Sequence, residues 1–546
     1  MDTSEANIAT GVQMEELSED LIHHILGLLP TIDATQFSIL SKPLRSFWLS
    51  FPVLDFDFTH FLVGNRSNSS MDFFHFVEQS LQLREPHIKK HLQKLRFNFT
   101  GRVFKRDVDE VEAVVNRLLE FAIEKSVREL DLDISVNDFR CREEFLKHSP
   151  FLLRVLLLRS LTSLKLKLKG FESGLSNLSL TSPSLEYLSI CNCMILKTIS
   201  VSSERLKHIK LSSCPELQCV RVEAESLVSF MYHGVNVEKD CEIEIFGCGS
   251  LRSLTLRSAR ISTEFFEQLT GLLCLRFLFL CDCYLPESSN ICNSSLQTVE
   301  MIMCHLVERL VLSAKSLERF IFHAYSWNES RTLDISACTS LSDLQLICAV
   351  LTYDWVKTNI SALSFLQVLV LNGCTFSEKI EFKNEKLERL ELEHCDIHLK
   401  EADIDAPNLL HFSYSGSPSD LALMFTSTKF DARISLKRRM RNKWFGNLVK
   451  FLSSFNHCKS LTLCCSSAKD LIFLRENIWT KVPPLPYLRH LTVELTEIPG
   501  IPTLVELVQN LLWFVPNPAV MTIVSGSKKY SFKVFLTFIK SAYITM

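Results

Sequence analysis

The sequence predicts an α/β chain built as a solenoid, a curved parallel β-sheet with helices and loops on its convex side, preceded by a small three-helix bundle. Three observations carry this. A Leu-x-x-Leu-x-Leu unit, with apolar substitutes, recurs at intervals of 21 to 25 residues between Leu161 and Leu409. At 546 residues the chain is too long for one compact core unless it is a barrel or a repeat. The apolar residues before position 57 recur instead at helical spacing, in a stretch of about forty residues that is too short to bury a core standing alone.

That stretch, Glu16 to Asp57, divides into three short helices. Leu21, Ile22, Ile25, Leu26, Leu28 and Leu29 share helical spacing, with Ser18 as N-cap and Glu19 and Asp20 in the electropositive first turn. Pro30 ends that helix. Asp33 and Gln36 have capping-box spacing for a second helix carrying Phe37 and Leu40. Pro43 suits the first turn of a third, where its missing N–H costs nothing, and Phe51-Pro52 closes it. A segment this apolar and this short expects a partner surface.

In register, Leu17, Leu21, Ile25-Leu26, Leu29-Pro30, Asp33-Ala34, Ser38, Leu40-Ser41-Lys42, Arg45, Trp48, Pro52, Leu54 and Asp55-Phe56-Asp57 resemble the F-box of plant F-box/leucine-rich-repeat proteins. The resemblance implies that residues 14–57 dock a Skp-type adaptor and, through it, a cullin. It implies Leu17, Leu21, Ile25, Leu29, Pro30, Leu40 and Trp48 as the adaptor interface or its immediate support. Two positions depart from the family pattern. Leu17-Ser18 stands where the family usually has Leu-Pro, and Lys42-Pro43-Leu44-Arg45 where it has Lys-Arg-Trp-Arg. The second loses a large buried contact area, which bears on partner affinity.

Residues 58–125 read as a helical connector with a first strand that packs the F-box to the repeats. Phe73, Phe76, Val77 and Leu81 mark one amphipathic helix, His91 to Phe99 ends in strand-like alternation, and Val108 to Ile123 forms a second helix. Residues 126–415 carry the repeats. Their units include Leu161/Leu164/Leu166, Leu275/Leu278/Leu280, Leu341/Leu344/Leu346 and Leu387/Leu390/Leu392. The period is that of a leucine-rich repeat, one strand per unit, and stacked units bury a core that no single unit can. Cys193, Cys214, Cys283, Cys304, Cys374 and Cys395 each fall eight residues after the first leucine of their unit, where a small side chain turns the backbone off the strand. With no Cys-x-x-Cys in the chain, this periodicity accounts for them better than a metal site.

Residues 416–546 read as irregular C-terminal repeats and a capping region. Gly416 to Phe430 is loop-like. The basic run Arg433 to Lys443 is either an anion or nuclear-import patch or, as the helical continuation Trp444, Leu448, Phe451, Leu452 and Phe455 favours, a solvated helix face. Strands resume at Ser460–Leu463 and around Leu491, and Leu504 to Phe514 is a helix before a strand at Val520–Val524. Ser527 to Met546 is ambiguous between strand and helix.

Composition narrows the function. A net charge of −3 gives no global reason to bind nucleic acid or an anionic membrane, and no long apolar run predicts a membrane span. The acidic, polar N-terminus lacks the pattern of a signal peptide, so the 19 cysteines are expected to be reduced thiols in the cytoplasm or nucleus. No nucleophile elbow, phosphate loop, dinucleotide fingerprint or zinc-hydrolase motif occurs, so no catalytic residue and no cofactor is expected.

The informative surface is the concave sheet face, where residues between the repeat leucines point outward. An apolar stripe of Phe277, Phe279, Ile302, Ile321, Val368 and Val370, followed by Arg389 and Glu391, is the expected protein-binding surface. The alternative is that loops or the C-terminal segment cover it within the chain. Taken with the resemblance, these features imply the non-catalytic substrate-recognition subunit of a Skp–cullin–F-box ubiquitin ligase. Its rivals are a ligand-sensing F-box receptor, for which the basic run is the one candidate site, and a repeat scaffold outside ubiquitin ligases.

Overall fold

The computed structural model describes residues 17–64, 70–89, 91–101, 104, 107–136, 154, 156, 158–169, 176–235, 241–305, 308–324, 331–395, 399–417, 421–437, 444–473, 481–526 and 528–533. It divides into two compact units, Met1–Arg260 and Ile261–Met546.

The first unit opens with three helices, α1 (Glu19–Gly27), α2 (Thr31–Ser38) and α3 (Lys42–Ser50). Ser18 caps α1 by accepting the Leu21 N–H, with Glu19 and Asp20 in the first turn as expected. Ser41 caps α3 in the same way, accepting from Leu44, with Pro43 in its first turn. The capping box expected at Asp33 and Gln36 does not form. Helix α2 starts earlier, at Thr31 after Pro30, because a proline there has no N–H to satisfy. Ile22, Leu26, Ala34, Leu44, Trp48 and Phe51 form a small core, against which Leu17, Leu29, Phe37, Phe47, Leu49 and Val53 pack.

The tail of the F-box segment is already sheet. Strand β1 (Val53–Asp57) pairs in parallel with β2 (Lys94–Gly101), so the first strand precedes the one the alternation at His91 to Phe99 suggests. Between them lie α4 (Phe58–Gly64) and α5 (Ser70–Arg84). Phe58, Phe73 and Phe74 pack ring against ring with Phe97 and Phe99, and Phe61 packs on Phe73, joining this connector to the sheet. Thr31 of α2 accepts the Asp55 N–H at 2.7 Å, and Asp57, 5% exposed, accepts from Thr59 and Asn98. Burial pushes the Asp57 carboxyl up, but these hydrogen bonds and one from His60 hold it below its ordinary value.

Arg84 is the strongest tie. Only 1% exposed, it donates to the carbonyls of Phe51 and Val53, the latter at 3.1 Å, and its guanidinium carbon lies 5.3 Å from the centre of the Trp48 ring. Those carbonyls stand where α3 gives way to β1, so one buried cation is shared by the helical bundle and the sheet. Burial pulls its pKa down to about 9, yet it stays charged at neutral pH, and the carbonyls and ring face offset its desolvation.

From β2 the chain passes through α6 (Val108–Glu124) to β3 (Glu129–Val136) and β4 (Ser163–Lys169), then to strands Tyr187–Cys191, His208–Ser212, Ser229–His233 and Ser253–Arg257. Each pairs in parallel with the one before. The repeat leucines form its buried rungs: Leu164, Leu188, Leu227 and Leu254 are 0% exposed.

The return segments differ from expectation. In place of convex helices and loops, Asn177–Leu180, Thr198–Ser202, Cys219–Glu223 and Glu242–Phe246 form a second parallel sheet. Their period-2 alternation buries Leu178, Ile199, Val220 and Ile243, and segments of this length are too short for a stable helical face.

The second unit repeats the plan. Its main sheet runs through Phe277–Cys281, Thr298–Cys304, Arg319–Ala324, Asp343–Ile347, Val368–Asn372 and Arg389–Glu393, all parallel. It continues through His411–Gly416, Asp431–Leu436, Ser460–Cys465, His490–Leu495 and Val520–Ser525. The expected break after Ser415 is therefore absent: the sheet persists through Asp431–Leu436, and Ala422–Phe425 extends a return sheet. Return helices do occur, at Thr263–Thr270 and Tyr353–Ala362, capped by Ser262 and Thr352. Lys528–Lys533 pairs antiparallel with Val520–Ser525, resolving part of the ambiguous tail as strand and covering that edge; residues 534–546 lie outside the described ones.

The expected cysteine role is met at the strand ends. Asn192, Ser213, Asp282, Met303 and Gly373 take φ between 52° and 62°, and Cys193, Cys214, Cys283, Cys304 and Cys374 follow them. A left-handed residue turns the chain, and the thiol folds beneath it to reach a carbonyl, as Cys374 does with Leu346 at 3.3 Å. Burial pushes the Cys374 thiol up to about 12, so it stays protonated and donates.

Replacing Arg84 with methionine would leave two buried carbonyls without their donor. Stability is expected to fall by about 2 kcal/mol, with the amides of α1 to α3 exchanging hydrogen sooner than those of the later repeats. Urea denaturation followed by hydrogen-exchange mass spectrometry measures both.

Candidate protein-binding surfaces

Helix α1 carries more apolar side chains than one core face can hold. Ile22 and Leu26 face inward at 0% and 1% exposure, whereas Leu21, Ile25 and Leu28, at helical spacing on an adjoining face, stay at or near the surface. Leu21 is 44% exposed and Leu28 73%; at the end of α2, Ile39 is 78% and Leu40 69% exposed. Large aliphatic side chains at such exposure are what a partner can still bury.

The sequence-predicted adaptor residues separate accordingly. Leu21 and Leu40 are at the surface, and Leu17, Ile25, Leu29 and Pro30 are half-buried. Trp48 is not a surface residue: at 3% exposure it belongs to the core beneath, in contact with Arg84, and can act only as support. Leu28 and Ile39 were not singled out, although the excess of apolar residues in α1 was a signal for the first. Leu44, where the family pattern has tryptophan, is 2% exposed and interior, so that departure alters packing under the surface. Ser18 serves as the cap of α1.

The outward residues of the second unit's sheet lie in ladders set by the strand register. Phe277, Phe279, Ile302, Ile321, Val368 and Val370 do share this face, but they do not form the unbroken stripe expected. Phe279 pairs with Glu300 and then Ile321 with Gln345, while Phe277 leads to Thr298, Arg319 and Asp343 before Val368. Arg319 and Asp343 are ion-paired at 3.5 Å. Phe277 and Phe279 stack with centroids 6.4 Å apart, which leaves Phe279 only 9% exposed. The face is therefore mixed polar and apolar, the composition of an ordinary protein-recognition surface.

Further along, Arg389, Glu391 and Glu393 share the face with Ser413, Ser415 and Ser435 around a cavity of about 390 Å³. Arg433, placed by its sequence context off this face, is a strand residue lining the same cavity, held by both carboxylate oxygens of Glu494 at 3.2 and 2.6 Å. Of the basic run, residues 438–443 lie outside the described ones. Among the described residues no three His, Cys, Asp or Glu side chains are grouped to hold a metal, and no helix is long and apolar enough to cross a membrane.

The family comparison agrees with this anatomy. Residues 14–56 match the F-box domain. A putative F-box/FBD/LRR-repeat protein of Arabidopsis thaliana, At4g03220, is 32% identical over 127 residues, 23% of each chain. The putative F-box/LRR-repeat protein At3g59230 of the same plant is 32% identical over 141 residues, 25% of this chain and 26% of its own. Another, the putative F-box/FBD/LRR-repeat protein At3g49030, is 30% identical over 198 residues, 33% of this chain and 41% of its own. The matches thus span a quarter to two fifths of these relatives' length. With a helical F-box domain at residues 14–56 and stacked leucine strands after it, the chain is similar to plant F-box/LRR-repeat proteins.

Core and surface roles predict opposite mutational effects. Trp48→Ala is expected to cost about 3–5 kcal/mol, and Leu40→Ala less than about 0.5 kcal/mol, in equilibrium denaturation of the full chain.

Proposed function

We propose that this chain is the substrate-recognition subunit of a Skp–cullin–F-box ubiquitin ligase. The carrying observation is the set of exposed aliphatic side chains on a matched F-box, Leu21, Leu28, Ile39 and Leu40, which a Skp-type adaptor would cover. Burying each fully is worth roughly 1.5–3 kcal/mol, enough together to hold an adaptor once association entropy is met. The mixed outward face of the second unit then holds a protein substrate. The chain itself makes no bond. Its contribution is positional, raising the effective concentration of substrate lysines near the ubiquitin-charged enzyme. This reading puts the working protein in the cytoplasm or nucleus.

The β1–β2 pairing and the Arg84 tie support the reading, since a handle continuous with the sheet fixes the F-box on the first unit. Leu28→Asp combined with Ile39→Asp is expected to weaken adaptor co-precipitation at least about tenfold without lowering the melting temperature. Undiminished capture by that variant would sink the adaptor assignment. On the sheet, Phe277→Asp with Val370→Asp is expected to abolish substrate stabilisation under proteasome inhibition while adaptor binding persists. An unchanged set of stabilised proteins would remove that face from substrate recognition.

A further inference from the structure

Four neighbouring strands of the second unit, Arg389–Glu393, His411–Gly416, Asp431–Leu436 and Ser460–Cys465, place Glu393, Ser415, Ser435 and Cys464 in one register. Cys464 pairs onward with Glu494, so the rung is long at both ends and short in the middle. With strands about 4.8 Å apart, three short side chains in succession open a trough on the sheet. That is the physical origin of the cavity of about 390 Å³, which Ser413, Ser415 and Ser435 floor. Ligand pockets run from about 300 to 1,000 Å³.

The lining says what fits. Both arginines are already engaged, Arg389 with Glu391 at 2.6 Å and Arg433 with Glu494. Glu393, half-buried, makes no side-chain hydrogen bond or ion pair among the described residues. Ser415 is only 8% exposed, lines the cavity, and its hydroxyl likewise has no partner among them. In a cavity that His394 and Cys464 also line, the Glu393 carboxylate and the Ser415 hydroxyl therefore offer acceptors with no side-chain partner among the described residues.

We propose that this cradle takes the guanidinium of an arginine side chain on the bound protein. Two parallel N–H groups of the planar fork meet the Glu393 carboxylate, and further N–H groups reach Ser415 and its serine neighbours. The inference rests on the reading of this face as a protein-binding surface and adds the chemistry of what it recognises.

The test uses the immobilised full chain and acetylated peptides with randomised flanks around a fixed arginine, lysine, citrulline or glutamate. Arginine peptides are expected to be retained about tenfold or more over their citrulline isosteres. Glu393→Gln, which keeps the side chain's shape, is expected to bring that ratio near one, and Glu300→Gln, elsewhere on the face, to leave it intact. Ser415→Leu should fill the trough and remove retention; should that variant fail to fold, Glu393→Gln decides. Equal retention of citrulline, equal retention of lysine, a preference for glutamate, or an undiminished ratio in Glu393→Gln would each overturn the assignment. Adaptor co-precipitation on the same preparation keeps the two readings apart. Adaptor binding without arginine preference overturns the cradle alone, whereas arginine preference without adaptor binding leaves the cradle standing and removes the ligase.

Discussion

Everything in this molecule depends on neighbouring strands keeping register. A repeat contributes one short strand whose leucines have nothing of their own to pack against, and only the strands before and after cover them. Leu344 stacks between Phe320 and Leu369, and all three are fully buried. A slip of one residue would bring the outward set into the core and put the leucines in water. The turn that ends each strand guards against this. A left-handed residue followed by a small buried one, usually cysteine, stops the strand at the same place in successive units. The same constraint builds the function, because register alone decides which outward side chains become neighbours.

The helical segment obeys a different rule. It has a small core, and part of what could have enlarged that core is left outside. Stability there comes from attachment: a strand shared with the sheet, a threonine accepting from that strand, and a buried guanidinium bridging the helix end and the strand. An isolated cation with carbonyl partners is a costly device, and it makes the orientation of the bundle specific, since no other packing would satisfy it.

Much of this was legible in the residues. The leucine period, the Ser18 cap and the cysteine turns follow from local rules that recur over many units. The returns were not legible, because four- or five-residue alternating runs such as Thr198–Ser202 look like loops until their neighbours pair with them. Trp48 lies in the helical core and meets Arg84, a residue from a separate helix, and no local pattern announces that contact. The broken stripe had the same cause. Apolar outward residues were visible one strand at a time, but Glu300 and Gln345 take their places beside Phe279 and Ile321 only through pairing.

The position of β1 has a consequence for how such chains are cut and recombined. The F-box match ends at residue 56, inside a strand that begins at Val53 and hydrogen-bonds to β2. A fragment ending there would carry an unpaired edge, and the repeats deprived of it would expose another. Exchange of this F-box for a different one, in the laboratory or in evolution, therefore has to bring along a compatible first strand. The boundary of the recognised family and the boundary of the folding unit fall in different places.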